Sequence, residues 1–264
     1  MARKMTHAPV YFAIMQARFN QILALDSYAP QIQEHLRKHD FPDVQKSTLA
    51  TFNLNLAAPT KESPPQVPVT QIGRYTFSNI DRTAAFILDQ GALSLQTTEY
   101  DVFDTFSNQF RDGLHIIHDA VSLSFTDRIG FRYLDAVFPK ANESLVDYLD
   151  ASVLGLGERF QETIVHSFSE TRLRSSSDVN IVARVIIQNG EVGFPPDLLP
   201  NPLRVPDRFR ELLGRHAILD TDGFLERREA FSLESISEHL RLIHDEIAKT
   251  FHATVTPHAI KAWE

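Results

Sequence analysis

The chain has 264 residues, a net charge of −8 and no Cys. The absence of thiols excludes disulfides and thiolate metal sites and favours a reducing cytoplasm. Because no tract is dense in Lys or Arg, nucleic acid is not an expected partner of the chain as a whole. No apolar run approaches the ~20 residues that span a bilayer, so neither a membrane segment nor a secretory leader is predicted.

Residues 1–57 have the pattern of an N-terminal β-α-β unit. Pro9–Phe19 is a continuous run of β-forming residues and predicts a strand. Apolar residues then recur at helical spacing after Asp26 or Ser27, either of which could cap the helix. In Thr48–Leu56 the type of side chain alternates from one residue to the next, which predicts the second strand.

A proline-rich segment follows this unit. Residues 58–68 contain four prolines, which remove ladder donors and stiffen the chain. The sequence therefore predicts a linker or surface loop here, followed by a main α+β region at 69–264.

The main region begins with a predicted antiparallel meander and a striped helix. Turn residues separate three short β-type runs, at Gln71–Ser78, Ala84–Leu88 and Leu93–Thr98. Asp101 is expected to cap a helix whose apolar residues, from Phe103 to Val121, step by three or four. Gly113 lies in the middle of this helix and is expected to permit close approach of a neighbouring strand.

The remaining elements are predicted from similar patterns. Asn189-Gly190 is a turn signal, Phe194–Pro206 is expected to be an extended surface segment, and Ser232 is expected to cap a final long helix. The predicted strands are Arg128–Val137, Glu162–Ser169, Val179–Gln188 and His216–Phe231, the last as a strand or hairpin arm.

Two helical segments are similar to each other. Leu114–Val121 aligns without gaps to Leu240–Ile247, and both contain Ile-His-Asp. A duplication and a chance match of two amphipathic helices both explain this. The fold class predicted is α+β, with mostly antiparallel sheets, long amphipathic helices packed on one face and a possible internal duplication.

Asp220 and Asp222 are the first candidate site residues. They lie two positions apart on a predicted strand, so their side chains point to the same face. His216 lies four positions before Asp220 and points to that face as well. Together they could bind a divalent cation, whereas the favoured interpretation is a strand edge with an Asp-Thr-Asp-Gly turn. No phosphate-loop, zinc-spacing or nucleophile-elbow motif is present, so no cofactor, no metal and no catalytic residue is predicted.

The segment Phe131–Asp135 is the most informative short motif. Alternation places Arg132 on one face of the strand, with Tyr133 and Asp135 on the opposite side. An arginine within a strand needs a carboxylate or a ligand anion. Pairing of Arg132 with Asp220 or Asp222 is favoured over a role as an anion receptor.

The two helical His-Asp pairs are not expected to be catalytic. His118 is adjacent to Asp119, and His244 to Asp245. Adjacent helical residues diverge by about 100°, so the members of each pair are not expected to face each other. The histidines are predicted to be half-buried polar residues beside the apolar stripe.

Several motifs together resemble a sporadically distributed bacterial family of uncharacterised proteins. They comprise the first strand, an Arg-Tyr-Asn/Asp strand, a Leu-Asp-x-Asp strand and a C-terminal helix followed by Thr. In this chain they are Pro9–Phe19, Gly130–Asp135, Leu219–Asp222, Leu242–His244 and Phe251–Thr256. The resemblance implies an accessory gene, as in toxin-antitoxin or phage-defence cassettes. The family has no agreed catalytic residues that could be carried over to this chain. Asp135 stands where many members are expected to have Asn.

Three functional hypotheses follow. The favoured one is a non-catalytic protein-interaction or regulatory protein, with a partner encoded in the same operon or a second copy of the chain. The second is a metal- or nucleotide-dependent enzyme or binding protein centred on Arg132, Asp220 and Asp222, with Tyr133 and Asp135 as further binding residues. The third is a nucleic-acid-binding module that uses a local group of arginines, namely Arg159, Arg172, Arg174 and Arg184.

Overall fold

The computed structural model describes residues 5–52, 69–160 and 163–264. Within these ranges the chain forms one antiparallel sheet of ten strands with seven α-helices, which confirms the α+β prediction. The strands are β1 (Val10–Phe19), β2 (Asp43–Phe52), β3 (Val69–Ser78), β4 (Ala84–Asp89), β5 (Ala92–Thr97), β6 (Phe125–Val137), β7 (His166–Arg174), β8 (Asn180–Gly190), β9 (Gly214–Leu225) and β10 (Glu229–Ala230). The helices are α1 (Leu25–Lys38), α2 (Phe103–Val121), α3 (Leu145–Tyr148), α4 (Ala151–Leu154), α5 (Asp207–Arg210), α6 (Leu233–Thr254) and α7 (Pro257–Trp263).

The strand order is β2-β3-β4-β5-β1-β6-β9-β8-β7, and β10 pairs with β6. β1 therefore lies at the centre of the sheet, between β5 and β6. The predicted linker at residues 58–68 lies outside the described residues. No helix in the described part of the chain is long and apolar enough to cross a membrane.

The same order of elements occurs twice. In the first half, β1 pairs with β5, the last strand of the β3-β4-β5 meander, and α2 follows. In the second half, β6 pairs with β9, the last strand of the β7-β8-β9 meander, and α6 follows after β10. The similar segments Leu114–Val121 and Leu240–Ile247 thus lie in equivalent helices.

The long helices pack together on one face of the sheet. α1 contacts α2, α2 contacts α6, and α6 lies against β6 and β9. The predicted stripe of α2 is buried in the main core, where each large apolar side chain contributes roughly 1.5–3 kcal/mol. The close approach expected at Gly113 is confirmed, because a Cβ there would lie 2.3 Å from Cε1 of Phe86 on β4.

The helix starts were predicted less well than the helices themselves. Ser232 caps α6 as predicted, by accepting a hydrogen bond from the Ser235 amide. The predicted caps of α1 and α2 are wrong, because Ala24 and Val102 occupy the N-cap positions without a side-chain hydrogen bond. The Asp26 carboxylate instead accepts hydrogen bonds from side chains on β2 and β3.

Residues 192–209 cover part of the other face of the sheet. The extended surface segment predicted at Phe194–Pro206 is therefore wrong in one respect, since it packs on the sheet and buries Leu203. The Tyr11 hydroxyl donates a hydrogen bond of 2.8 Å to the Gly193 carbonyl and ties this covering segment to β1. This whole face of the sheet, opposite the long helices, is called the open face below.

The turn predicted at Asn189-Gly190 is wrong. Both residues belong to β8 and pair with Arg215 and Gly214 of β9. Gly190 and Gly214 lie opposite each other with φ of +113° and +120°, so glycine is used where this pair of strands ends. The β7–β8 hairpin itself is present, although β7 starts later than predicted, at His166.

Candidate functional site

The alternation of β6 divides the candidate residues between two separate places. Arg132 lies on the open face together with Asp220 and Asp222, its neighbours on β9. Tyr133 and Asp135 point to the opposite face, where they line a pocket beside α2 and α6. Neighbouring residues of a strand face opposite sides of the sheet, so the five residues do not form one site.

Arg132 is at the centre of a closed network of charges on the open face. It is 8% exposed and binds Asp220 in a bidentate manner, with Nε–Oδ1 at 2.6 Å and Nη2–Oδ2 at 2.8 Å. Asp197, from the covering segment, accepts from Nη1 at 2.5 Å and from Nη2 at 3.3 Å. The pairing of Arg132 with Asp220 is thus confirmed, and Asp197 is a partner that no sequence pattern indicated.

This network leaves little capacity for a ligand anion. Burial lowers the pKa of Arg132, but the hydrogen bonds to Asp220 and Asp197 outweigh burial and raise it. All three guanidinium nitrogens already donate to carboxylates. The arrangement therefore favours the structural role of Arg132 over that of an anion receptor.

Asp222 borders a cleft of about 320 Å³ on the same face. Its Oδ2 lies 3.7 Å from Nη2 of Arg128, and burial raises its pKa against the effect of Arg128 and Arg132. His216 lies apart from the two aspartates, with its ring stacked on Phe138 at 4.7 Å. Within the described ranges, no group of three His, Asp or Glu residues could hold a metal ion.

The arginines of the nucleic-acid hypothesis are mostly paired with acids. Arg172 and Arg184 both donate to Glu170 at 2.8 Å, and Arg184 also donates to Asp220 at 3.2 Å. Arg174 pairs with Asp178 at 3.1 Å, and Arg159 lies in an exposed turn after a 3-10 helix at Gly155–Glu158. Carboxylates thus offset the positive charge that would attract a phosphate backbone.

A second cavity, the helix-side pocket, lies between the sheet and the helices. Its volume is about 350 Å³, at the lower end of the range of about 300–1,000 Å³ for small-molecule sites. β1, β6, β9, α6 and the start of α2 all contribute to it. Its lining includes Val10, Tyr100, Phe103, Tyr133, Asp135, Thr221, His244, Ile247, Ala248 and Phe251.

Asp135 is the unusual residue of the helix-side pocket. It is only 7% exposed, and no described residue forms a hydrogen bond or an ion pair with its carboxyl group. Burial raises its pKa from the ordinary 3.8 to about 7. Both the neutral and the ionised form of this carboxyl are therefore populated near pH 7. An unpaired position is unusual, because buried charges in proteins are normally paired.

Two tyrosines lie beside this carboxyl. The Tyr133 hydroxyl donates to the Tyr100 hydroxyl at 2.7 Å, and their rings meet edge to face. Burial raises the pKa of Tyr100 to about 12, and burial also raises the pKa of Tyr133 well above its ordinary value. Both phenols are therefore neutral at physiological pH and can donate or accept hydrogen bonds.

His244 closes one side of the pocket. Its ring lies 4.4 Å from the Phe103 ring, and burial lowers its pKa, so the imidazole is neutral near pH 7. This confirms the half-buried position predicted for His244. The expectation that it would not face Asp245 is wrong, because Nδ1 lies 3.6 Å from Oδ1 of that residue.

Sequence reasoning found Tyr133 and Asp135 but did not connect them to Tyr100, Phe103 or His244. The apolar stripe from Phe103 to Val121 identified Phe103 only as a core residue. His244 was predicted only to be a half-buried polar residue beside such a stripe. The pocket itself combines a mostly apolar wall with a few polar groups and a carboxyl of strongly raised pKa, which is the usual composition of a ligand site.

Comparisons of the chain with protein-family models, with curated proteins and with solved structures found no match. Function is therefore inferred from the residues of the two faces.

Proposed function

We propose that this chain is a non-catalytic regulatory protein that binds a small hydrophobic cation, such as an arylalkylammonium ion, in the helix-side pocket. The observation that carries the proposal is the buried carboxyl of Asp135, which faces an apolar and aromatic cavity without a partner in the described part of the chain. A ligand ammonium group would supply the missing counter-charge.

The charge of the lining favours a cation over an anion. Asp135 supplies a buried carboxyl to the lining, and none of the described lining residues is Lys or Arg. An ammonium group near Asp135 would favour the ionised carboxylate and so lower its pKa. An anionic ligand would instead oppose that ionisation, and no Lys or Arg among the described lining residues would compensate.

The walls fit an apolar body attached to this cation. Val10, Ile247 and Phe251 offer aliphatic and aromatic surface, while Tyr100 and Phe103 offer ring faces. Aromatic rings attract ammonium groups by about 0.5–2 kcal/mol, most strongly when water is excluded. The same pocket is too small for a folded partner, so a small molecule is the fitting ligand.

Binding is favoured over catalysis by the isolation of Asp135. General acid or base catalysis requires a group within hydrogen-bonding distance of the reacting partner. Within the described residues, no hydroxyl or imidazole lies in such contact with the Asp135 carboxyl. The Arg132 network, the centre of the enzyme hypothesis, is closed by Asp220 and Asp197.

The test is isothermal titration calorimetry with matched probes: 2-phenylethylammonium, tryptammonium and cyclohexylmethylammonium, with 2-phenylethanol and 3-phenylpropanoate as neutral and anionic analogues. At least one ammonium probe is expected to bind about tenfold or more tightly than 2-phenylethanol, equivalent to about 1.4 kcal/mol. Asp135→Asn should abolish that preference, and Ala248→Phe should weaken binding by filling the pocket.

Asp222→Asn is the matched control, because it removes a carboxyl from the opposite face of the sheet and should leave ammonium binding unchanged. If no ammonium probe binds the wild-type chain at millimolar concentration, or if Asp135→Asn retains the preference for the cation, the proposal is wrong.

A further inference from the structure

β7 forms one edge of the sheet, and in the described part of the chain no strand pairs with its outer side. Exposed edges are templates for pairing with another strand, so proteins usually shorten, bulge or cover them. β7 has nine residues with no register shift against β8. Two large apolar residues of this strand, Phe168 and Leu173, are 54% and 48% exposed.

The charges of β7 are complementary to a second copy of the same strand. If two β7 strands run antiparallel with Thr171 opposite Thr171, Glu170 of each copy faces Arg172 of the other. In the same register, Phe168 faces Arg174, which can place its guanidinium over the ring. Opposite charges directly across a strand pair contribute roughly 0.2–1 kcal/mol each.

Neighbouring registers are disfavoured by the same residues. A slip that centres the pair on Glu170 places two glutamates opposite each other. The opposite slip centres it on Arg172 and places two arginines together. Like charges directly opposite are destabilising. A register in which an even-numbered residue lies opposite an odd-numbered one would place the two open faces on opposite sides of the sheet. The charges of β7 therefore favour the register centred on Thr171 over its two neighbours.

We infer that two copies of this chain pair through β7, with Thr171 on a two-fold axis perpendicular to the sheet. This axis keeps both open faces on one side and extends each sheet into its partner. The Glu170 that now binds Arg172 and Arg184 of its own chain would share its carboxylate with Arg172 of the second copy. The interface is self-complementary, as two-fold symmetric interfaces must be.

Further apolar surface is available beside the strand. The 3-10 turn at Gly155–Glu158 contacts β7, and it carries the exposed Leu156. Phe160 and Val165, in the connection to β7, are also exposed. Isolated surface apolar residues are common in monomers, whereas several of them beside an unpaired edge are typical of an interaction surface.

The experiment uses the absence of native Cys, which leaves an introduced thiol as the only one in the chain. In the proposed register Thr171→Cys places the two thiol-bearing residues directly opposite each other, about 4.5–5.5 Å apart at Cβ. Oxidation should therefore yield a disulfide-linked dimer. Ser169→Cys is the control, because position 169 faces Leu173 of the second copy and should not cross-link.

Charge substitutions test the register independently of any thiol. Arg172→Glu should raise the dimer dissociation constant at least tenfold in sedimentation velocity, since two Glu–Glu pairs would form. Mixing that variant with Glu170→Arg should restore a heterodimer, because one strand is then acidic and the other basic.

Circular dichroism establishes that each variant is folded before it is compared. A wild-type chain that stays monomeric up to about 100 μM and does not cross-link through Thr171→Cys would overturn the inference. Equal cross-linking through positions 169 and 171 would also overturn it, as would an Arg172→Glu variant that dimerises like the wild type.

Discussion

Replacement of Asp135 by Asn measures the cost of an ionised carboxyl inside the helix-side pocket. Burial raises the pKa of Asp135 from 3.8 to about 7 in the folded state. At about 1.4 kcal/mol per pKa unit, the ionised carboxyl destabilises the folded state by roughly 4 kcal/mol above pH 7. The cost disappears below about pH 4, where the group is protonated in both the folded and the unfolded state.

The sign follows from proton binding. Between about pH 4 and 7 the folded state holds this proton more firmly than the unfolded state, so the free energy of unfolding falls as the pH rises. Asn does not titrate. The stability of Asp135→Asn relative to wild type should therefore increase by up to about 4 kcal/mol between pH 4 and 8.

Other effects of the substitution cancel in this comparison. The buried amide of Asn has a fixed cost of about 1–3 kcal/mol if it stays unpaired, and that cost is the same at both pH values. The titratable groups that interact electrostatically with Asp135 are present in both proteins; they are Tyr11, Tyr100 and Tyr133. His244, which lines the same pocket, is also present in both.

The assay is urea unfolding followed by circular dichroism at pH 4.5, 6 and 8. Asp222→Asn provides a comparison, because burial also raises the pKa of Asp222 but Arg128 and Arg132 oppose it. It should show the same sign with a smaller amplitude. A wild-type minus Asp135→Asn difference that stays constant within about 1 kcal/mol from pH 4.5 to 8 would refute the reasoning.

Two further substitutions test the close packing of α6 and the network on the open face. Gly223→Ala should lower the free energy of unfolding by about 1–3 kcal/mol in urea titrations, because its Cβ would lie 2.7 Å from Cγ2 of Ile243. Gly73→Ala, where no atom lies within 4 Å of the added Cβ, should change stability much less. Arg132→Leu should cost about 3–5 kcal/mol, since it removes the bidentate partner of Asp220. The double variant with Asp220→Leu should regain part of that loss, and a double variant as unstable as the single one would contradict the ion-pair account.

Local patterns predicted the fold well where one periodicity dominates. The stripe from Phe103 to Val121 predicted α2, and the β-type runs around residues 71–98 predicted the meander of β3, β4 and β5. Capping was predicted less well, because Asp26 was available for a cap but forms hydrogen bonds to Lys46 and Tyr75 instead. Such competition between local and tertiary partners is not visible in a sequence window.

The candidate sites show the same limit. Alternation correctly separated Arg132 from Tyr133 and Asp135, and Asp220 was one of the two partners predicted for Arg132. The helix-side pocket could not be foreseen because distant parts of the chain form it. Asp197 had no signal either, since it lies in a proline-rich stretch without periodicity.

The central position of β1 has a consequence for biosynthesis. This strand is buried on both faces and ends at residue 19, yet its partners begin only at residues 92 and 125. At about 5–20 residues per second, a ribosome needs roughly 4–15 s to add the first partner and longer for the second. This apolar strand therefore stays unpaired on the nascent chain, and the high contact order of its pairings exposes it to misassembly or chaperone capture.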